Sequence, residues 1–296
     1  MTPKQRLNIL LADDGSQHAQ AAVEWLQNIP LPPKSRIFVF RAFHSGQVPH
    51  IPEFERALER TKTQLSSLGY RVETELKLGH AAEMIIKSAQ ARKSDLIVLG
   101  AKGLRSTMSI LLGGVAQHVM EYAGCPVLVM RAPYRGFCKI LLVTDGSPSS
   151  QSAGRNLSKF LLPAEVDVRV MHVLPPIPTP IMMAPYYGAW QTVYAPFPTQ
   201  EEEEAERKKE ARLGEALLAR TVGLLQRHGV EPTPVLARGD AATEIINYVK
   251  ANKIDLIVAG LRGLSQFRSL WMGSVSRKLV HYSDCSVLIV KRPRKE

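Results

Sequence analysis

The residues best suited to chemistry lie near the C-terminal end of the chain. Gly260-Leu-Arg-Gly263 is followed, nine residues on, by Gly273-Ser274-Val275-Ser276. Two glycines let a backbone turn sharply and come close to a ligand. A Gly-Ser pair opening a helix offers unused N–H groups, hydroxyl donors and the positive end of the helix dipole, a combination suited to phosphate. Arg262 and Arg268 lie in the intervening loop and can pair with phosphate oxygens. The same glycines also fit ordinary turns and caps.

The elements needed to position such a site are legible. The short apolar run 256–259, directly before Gly260, reads as a strand buried on both faces. Upstream the pattern repeats: Ile9 to Ala12 reads as a strand, then Asp-Gly-Ser turns into a helix over 18–28 with Ser16 as its cap. Strands follow over 36–43, 70–78, 96–99 and 127–130, and helices over 53–68, 81–93 and 113–122. Strand and helix in alternation with short connections imply a parallel sheet with helices on both faces. Ligands of such sheets bind beyond the carboxyl ends of the strands, at the topological switch point.

The chain also repeats itself. Asn8-Ile-Leu-Leu-Ala-Asp-Asp-Gly-Ser16 returns as Lys139-Ile-Leu-Leu-Val-Thr-Asp-Gly-Ser147, an offset of 131 residues. Lys93-Ser-Asp-Leu-Ile-Val-Leu-Gly100 returns as Lys253-Ile-Asp-Leu-Ile-Val-Ala-Gly260, an offset of 160. Cys125-Pro-Val-Leu-Val returns as Cys285-Ser-Val-Leu-Ile at that same offset. Two domains are therefore expected, over 1–133 and 138–293, the second carrying an insertion of about 29 residues. The proline-rich stretch 175–200, with Tyr186, Tyr187, Trp190, Tyr194 and Phe197, is its natural place. That stretch reads either as a disordered loop or as a lid or docking surface over the carboxyl end of the sheet. Glu201 to Glu204 suit the start of a following helix.

Composition narrows the classes. With 296 residues and 45% apolar content the chain can build two cores. No apolar run is long enough for a secretory leader or a spanning helix, so a cytoplasmic, soluble protein with no membrane partner is expected. The net charge of +11 is spread evenly. Residues 1–137 hold 17 Lys/Arg against 11 Asp/Glu, and the remainder 21 against 16, which argues against a nucleic-acid footprint. Cys125, Cys138 and Cys285 form no CxxC and read as small apolar residues rather than metal ligands. No P-loop, HExxH or GxSxG motif is present, and no catalytic set is assigned.

The Gly-x2-Gly-x9-Gly-Ser spacing after a fourth strand resembles the nucleotide-binding signature of the universal stress protein family. Val143-Thr-Asp-Gly-Ser147, Arg169-Val-Met-His-Val-Leu174 and Cys285-Ser-Val-Leu-Ile-Val290 resemble that family's first, second and last strands. The likeness covers nearly the whole chain outside the insertion. It implies two tandem doubly wound α/β domains of Rossmann-like fold, each a five-stranded parallel sheet. It further implies an internal pseudo-dimer through Val127–Met130 and Val287–Val290, with a further homodimer open. ATP, with or without Mg²⁺, is the implied cofactor. Asp145 would meet the ribose, unless it merely caps the next helix, and Val173 the adenine. Gly260, Gly263, Gly273, Ser274, Val275 and Ser276 would hold the phosphates, and Arg262 is grouped with them. The family pattern is weaker in the first domain. Asp14, Gly100, Gly103 and Gly113 are kept, but Ala42 stands at the adenine position, and Gly114 and Ala116 replace two hydroxyl residues. One lost hydrogen bond to a charged group weakens binding about tenfold or more, so a weak or silent first site is expected. His172 reads as a core histidine rather than a catalytic one. The implied role is an ATP-dependent regulator in stress response. A slow ATP hydrolase or phosphotransferase, and a nucleotide-free interaction scaffold, remain as alternatives.

Overall fold

The computed structural model describes residues 6–104, 112–158, 165–177, 199–261 and 272–291. Ten strands form one sheet. The first domain runs β1 (Asn8–Ala12), α1 (Gln17–Asn28), β2 (Arg36–Phe43), α2 (Ile51–Ser66), β3 (Arg71–Leu78), α3 (Ala81–Ala91), β4 (Leu96–Gly100), α4 (Gly114–Tyr122) and β5 (Val127–Met130). The second repeats it as β6 (Lys139–Val143), α5 (Pro148–Leu157), β7 (Asp167–Leu174), α6 (Gln200–Gln226), β8 (Thr233–Arg238), α7 (Ala241–Asn252), β9 (Leu256–Gly260), α8 (Ser274–Tyr282) and β10 (Ser286–Val290). A 3₁₀ turn at Ser45–His50, which the sequence pattern does not announce, leads into α2.

The strand order is β3-β2-β1-β4-β5-β10-β9-β6-β7-β8. Pairing is parallel everywhere except at the seam, where β5 meets β10 antiparallel with Leu128 opposite Leu288. The expected tandem fold and internal pseudo-dimer are both present. Each terminal strand would otherwise expose an apolar edge, and pairing the two removes both. Reciprocal bonds fasten the seam: Arg131 donates to the Val280 carbonyl at 2.8 Å, and Lys291 Nζ to the Glu121 carbonyl at 2.8 Å. Because the sheet is continuous, its two apolar faces are continuous too. Helices α1, α2, α5 and α6 cover one, around Ile9, Leu11, Leu142 and Leu288. Helices α3, α4, α7 and α8 cover the other, around Leu10, Ile97, Ile257 and Val287.

The second domain's extra length is shared between loop and helix. Helix α6 has 27 residues against 16 in α2, so 11 of the extra residues are helical. The expected insertion boundary near residue 200 therefore falls short, because the helical extension also belongs to it. Thr199 caps α6 by accepting the Glu202 N–H, while the Glu202 carboxylate takes the Thr199 N–H at 2.8 Å, a reciprocal box. Residues 200–209 of the extension are exposed on every side, and pairs such as Glu203–Arg207 (3.2 Å) and Glu204–Lys208 (2.7 Å) support it. The aromatic residues singled out in the insertion lie outside the described residues. No helix among the described residues is long and apolar enough to cross a membrane.

Candidate functional site

In each half the strand order reverses direction between its first and fourth strands, and a cavity opens at that point. The cavity of the second half, about 280 Å³, is lined by Asp145, Val173, Gly260, Gly273, Ser274, Val275 and Ser276. These residues come from three separate stretches of chain, after β6, in β7, and from the end of β9 to the start of α8. Arg262 and Gly263 lie outside the described residues. The cavity of the first half, about 410 Å³, is lined by Asp14, Ala42, Gly100, Gly103, Gly113 and Gly114. Every described candidate therefore falls on the cavity of its own half.

The helix ends that face the cavities are open. Gly113 and Gly273 occupy the N-cap positions of α4 and α8 with no side-chain cap. The first helical bonds run from Gln117 to the Gly113 carbonyl and from Arg277 to the Gly273 carbonyl. The N–H groups of the preceding turn, residues 274–276 in the second half, are thereby left to a ligand. Ser274 is exposed at the rim and Val275 half-buried. Ser276 is 6% exposed, and its hydroxyl donates to the Gly260 carbonyl at 2.7 Å. Its proton is thus engaged inside the protein, and the exposed hydroxyl donor of this pair is Ser274.

Gly260 also has a role that sequence spacing does not show. A Cβ there would sit 2.7 Å from the Ser149 carbonyl carbon and 2.8 Å from the Ser150 nitrogen. The strand end lies directly against the first turn of α5, and only a bare Cα fits. Gly100 repeats this against His18 and Ala19 on α1, at 2.7 and 2.9 Å. Gly103 is different: a Cβ there would meet a carboxylate oxygen of Asp14 at 2.7 Å, which brings the loop after β4 against the Asp14 turn.

Asp145 does not cap α5. Ser147 does, accepting the Ser150 N–H at 3.2 Å, while Asp145 Oδ1 accepts the Ser147 N–H at 3.0 Å and closes the turn in front of the cap. Asp14 does the same for Ser16, which caps α1 as its sequence position suggests. His172 is half-buried rather than sealed in the core; it lines the second cavity with Nδ1 2.9 Å from the Thr144 carbonyl.

Two groups of lining residues escape motif reading. In the second half, Thr144 and Ser150 line the cavity and bond hydroxyl to hydroxyl at 3.2 Å. In the first half the residues equivalent to Thr144 and His172 are Asp13 and Arg41. Arg41 donates to the Asp13 carbonyl at 2.7 Å, and its guanidinium lies 3.6 Å from Oδ1. Asp13 Oδ1 also accepts the Gly15 N–H, and Oδ2 the Thr61 hydroxyl, so both carboxylate oxygens are engaged, whereas Arg41 Nη2 is buried without a hydrogen-bond partner among the described residues. The visible signal was the doubled acid, Asp13-Asp14, where the second copy has Thr-Asp.

His18, beside the first cavity, accepts the Ala132 N–H through Nδ1 at 2.8 Å. Burial holds its pKa below the ordinary value, with Arg131 and Lys102 acting the same way and Asp14 opposing them. Among the described residues no three His, Cys, Asp or Glu side chains are grouped to hold a metal.

The sequence pattern of the Universal stress protein family matches residues 6–131 and 136–291. The chain belongs to the universal stress protein family. A universal stress protein of Thermus aquaticus is 36% identical over 135 residues, covering 42% of this chain and 97% of that one. One from Mycobacterium bovis is 22% identical over 97% of this chain and 96% of its own, so the likeness runs along nearly the full length of both. Among solved structures, a universal stress protein of Archaeoglobus fulgidus superimposes with a TM-score of 0.66, covering 96% of this chain and 98% of that one at 17% identity. That likeness speaks for the fold.

Proposed function

We propose that this universal stress protein is an ATP-binding regulatory protein whose nucleotide sits mainly in the second domain. One observation carries the reading: Asp145, Val173, Gly260, Gly273, Ser274, Val275 and Ser276, distant in sequence, meet on one cavity at an uncapped helix N-terminus. The Ser274 hydroxyl and the first-turn N–H groups would receive the phosphates. Asp145 would accept from the ribose hydroxyls, and the Val173 backbone would meet the adenine edge. Arg262 would add charge from the loop. The phosphate chain would bring Mg²⁺ with it where the metal is used. The first domain, with Gly114 in place of Ser274, would bind ATP at least about tenfold more weakly. The test is to denature freshly purified protein and analyse the released small molecules by mass spectrometry. ATP at close to one per chain supports the proposal; protein that carries no nucleotide and takes up none when offered millimolar ATP defeats it.

A further inference from the structure

We infer that a third cavity, beneath the linker between the two domains, binds a small organic anion: a compact apolar body carrying a carboxylate. The site is separate from the two strand-end cavities and does not depend on the nucleotide reading. Because β5 runs antiparallel to β10, the chain leaves β5 beside the start of β10, where the Arg131 N–H donates to Ser286 Oγ at 3.1 Å. The linker then crosses the amino ends of β9 and β6, the end of the second sheet away from Ser274. Both of its feet are pinned. The Ala132 N–H donates to His18 Nδ1 at 2.8 Å, and the Cys138 N–H to Asp255 Oδ2 at 3.0 Å. Gly136, at φ +91°, makes the turn between them. The Phe137 ring rests toward Trp25 of α1, 6.3 Å between centroids, with Tyr134 edge-on to it at 5.4 Å. Between this arch and the second domain a cavity of about 350 Å³ stays open.

Its lining is apolar with a one-sided charge. Pro133, Tyr134, Phe137, Val249 and Ile254 supply apolar wall, and such walls with a few polar groups suit the body of a small ligand. Arg131, Arg135, Lys250 and Lys253 stand against Asp255 and Asp284. Asp284 is offset by the field of Arg131. Asp255 is engaged by the fold: its Oδ2 accepts the Cys138 and Lys139 N–H groups, as its first-half equivalent Asp95 accepts the Asn8 N–H. Arg135, Lys250 and Lys253 are exposed and make no ion pair among the described residues. The dipole of α7 does not explain Lys250, because Lys139 Nζ already takes the Asn252 carbonyl at 3.2 Å and the first half has Gln90 at that place. A rim of one sign raises the local concentration of anions. The Tyr134 hydroxyl makes no hydrogen bond among the described residues, and burial raises its pKa, so it faces a ligand as a neutral donor. No helix N-terminus lines this cavity. A carboxylate needs none, since cations and a hydroxyl donor suffice for it.

The experiment titrates the full chain at low ionic strength with 2-naphthoate, with its neutral amide and with inorganic phosphate, following the methyl resonances of Val249 and Ile254. Naphthoate should shift them saturably. The amide, which lacks the charge, and phosphate, which lacks the apolar body, should each bind at least about tenfold more weakly. The double variant Arg135→Gln, Lys250→Gln changes two exposed side chains that hold no ion pair, so the fold is not at stake. It should weaken naphthoate about tenfold, and added salt should weaken the parent toward the same value. Naphthoate that leaves Val249 and Ile254 unmoved overturns the inference. So does amide or phosphate binding as tightly as naphthoate, or a double variant that binds it as the parent does.

Discussion

Replacing Gly260 with alanine separates packing from ligand binding. The added Cβ would lie 2.7 Å from the Ser149 carbonyl carbon and 2.8 Å from both Ser149 Oγ and the Ser150 nitrogen. Two of these atoms are backbone and cannot swing aside. Helix α5 must move, and its first turn is held by the Ser147 cap and by Ser150 Oγ donating to the Ser147 carbonyl at 3.0 Å. Overpacking of this kind costs about 1–3 kcal/mol. In a domain of this size each kcal/mol lowers Tm by about 2–4 °C, so Gly260→Ala should melt about 2–12 °C below the parent in a calorimetric scan. ATP affinity should fall as well, since Asp145 is tied to the Ser147 N–H and moves with the cap. Gly114→Ala is the control: nothing lies within 4 Å of its Cβ, and Tm should stay level or rise slightly. A Gly260→Ala protein that melts with the parent would refute the packing argument and return the glycine to a purely ligand-facing role.

Other outcomes follow from the same geometry. His18 accepts an N–H through Nδ1 and has a pKa below its usual 6.5, chiefly through burial; the neutral form is the folded form. Its contribution to stability is full above about pH 6.5 and is lost as pH falls toward the lowered folded value. His18→Asn, which keeps an acceptor at that point, should flatten this dependence in pH-resolved melting curves; the part left would come from His281, whose pKa burial also lowers. Burial raises the Cys125 and Cys285 thiols to about 11 and about 12, whereas Cys138 is exposed, so iodoacetamide at pH 8 should label Cys138 alone, as peptide mapping would show. Leu288→Ala, at a side chain 1% exposed on the seam, should cost about 2–5 kcal/mol by denaturant titration and weaken the coupling of the two halves into a single transition.

The sheet was legible because its central strands are apolar on both faces and return at fixed offsets. The candidate residues were legible because they follow those strands, where a doubly wound sheet opens. What stayed hidden depends on contacts between elements. Nothing in Gly-x2-Gly says that Gly260 faces the first turn of α5 instead of open space. The Ser276 hydroxyl looks like a phosphate donor until the Gly260 carbonyl is seen 2.7 Å away. Offsets gave the size of the insertion but not its division, because Glu and Lys pairs extend a helix without any apolar stripe to mark it.

The most direct measurement is a calorimetric titration of the full chain with ATP, repeated on Ser274→Ala and Gly114→Ala. The account predicts one tight site per chain, weakened about tenfold or more by Ser274→Ala and left unchanged by Gly114→Ala. Two sites of equal affinity, or equal losses from the two substitutions, would contradict it.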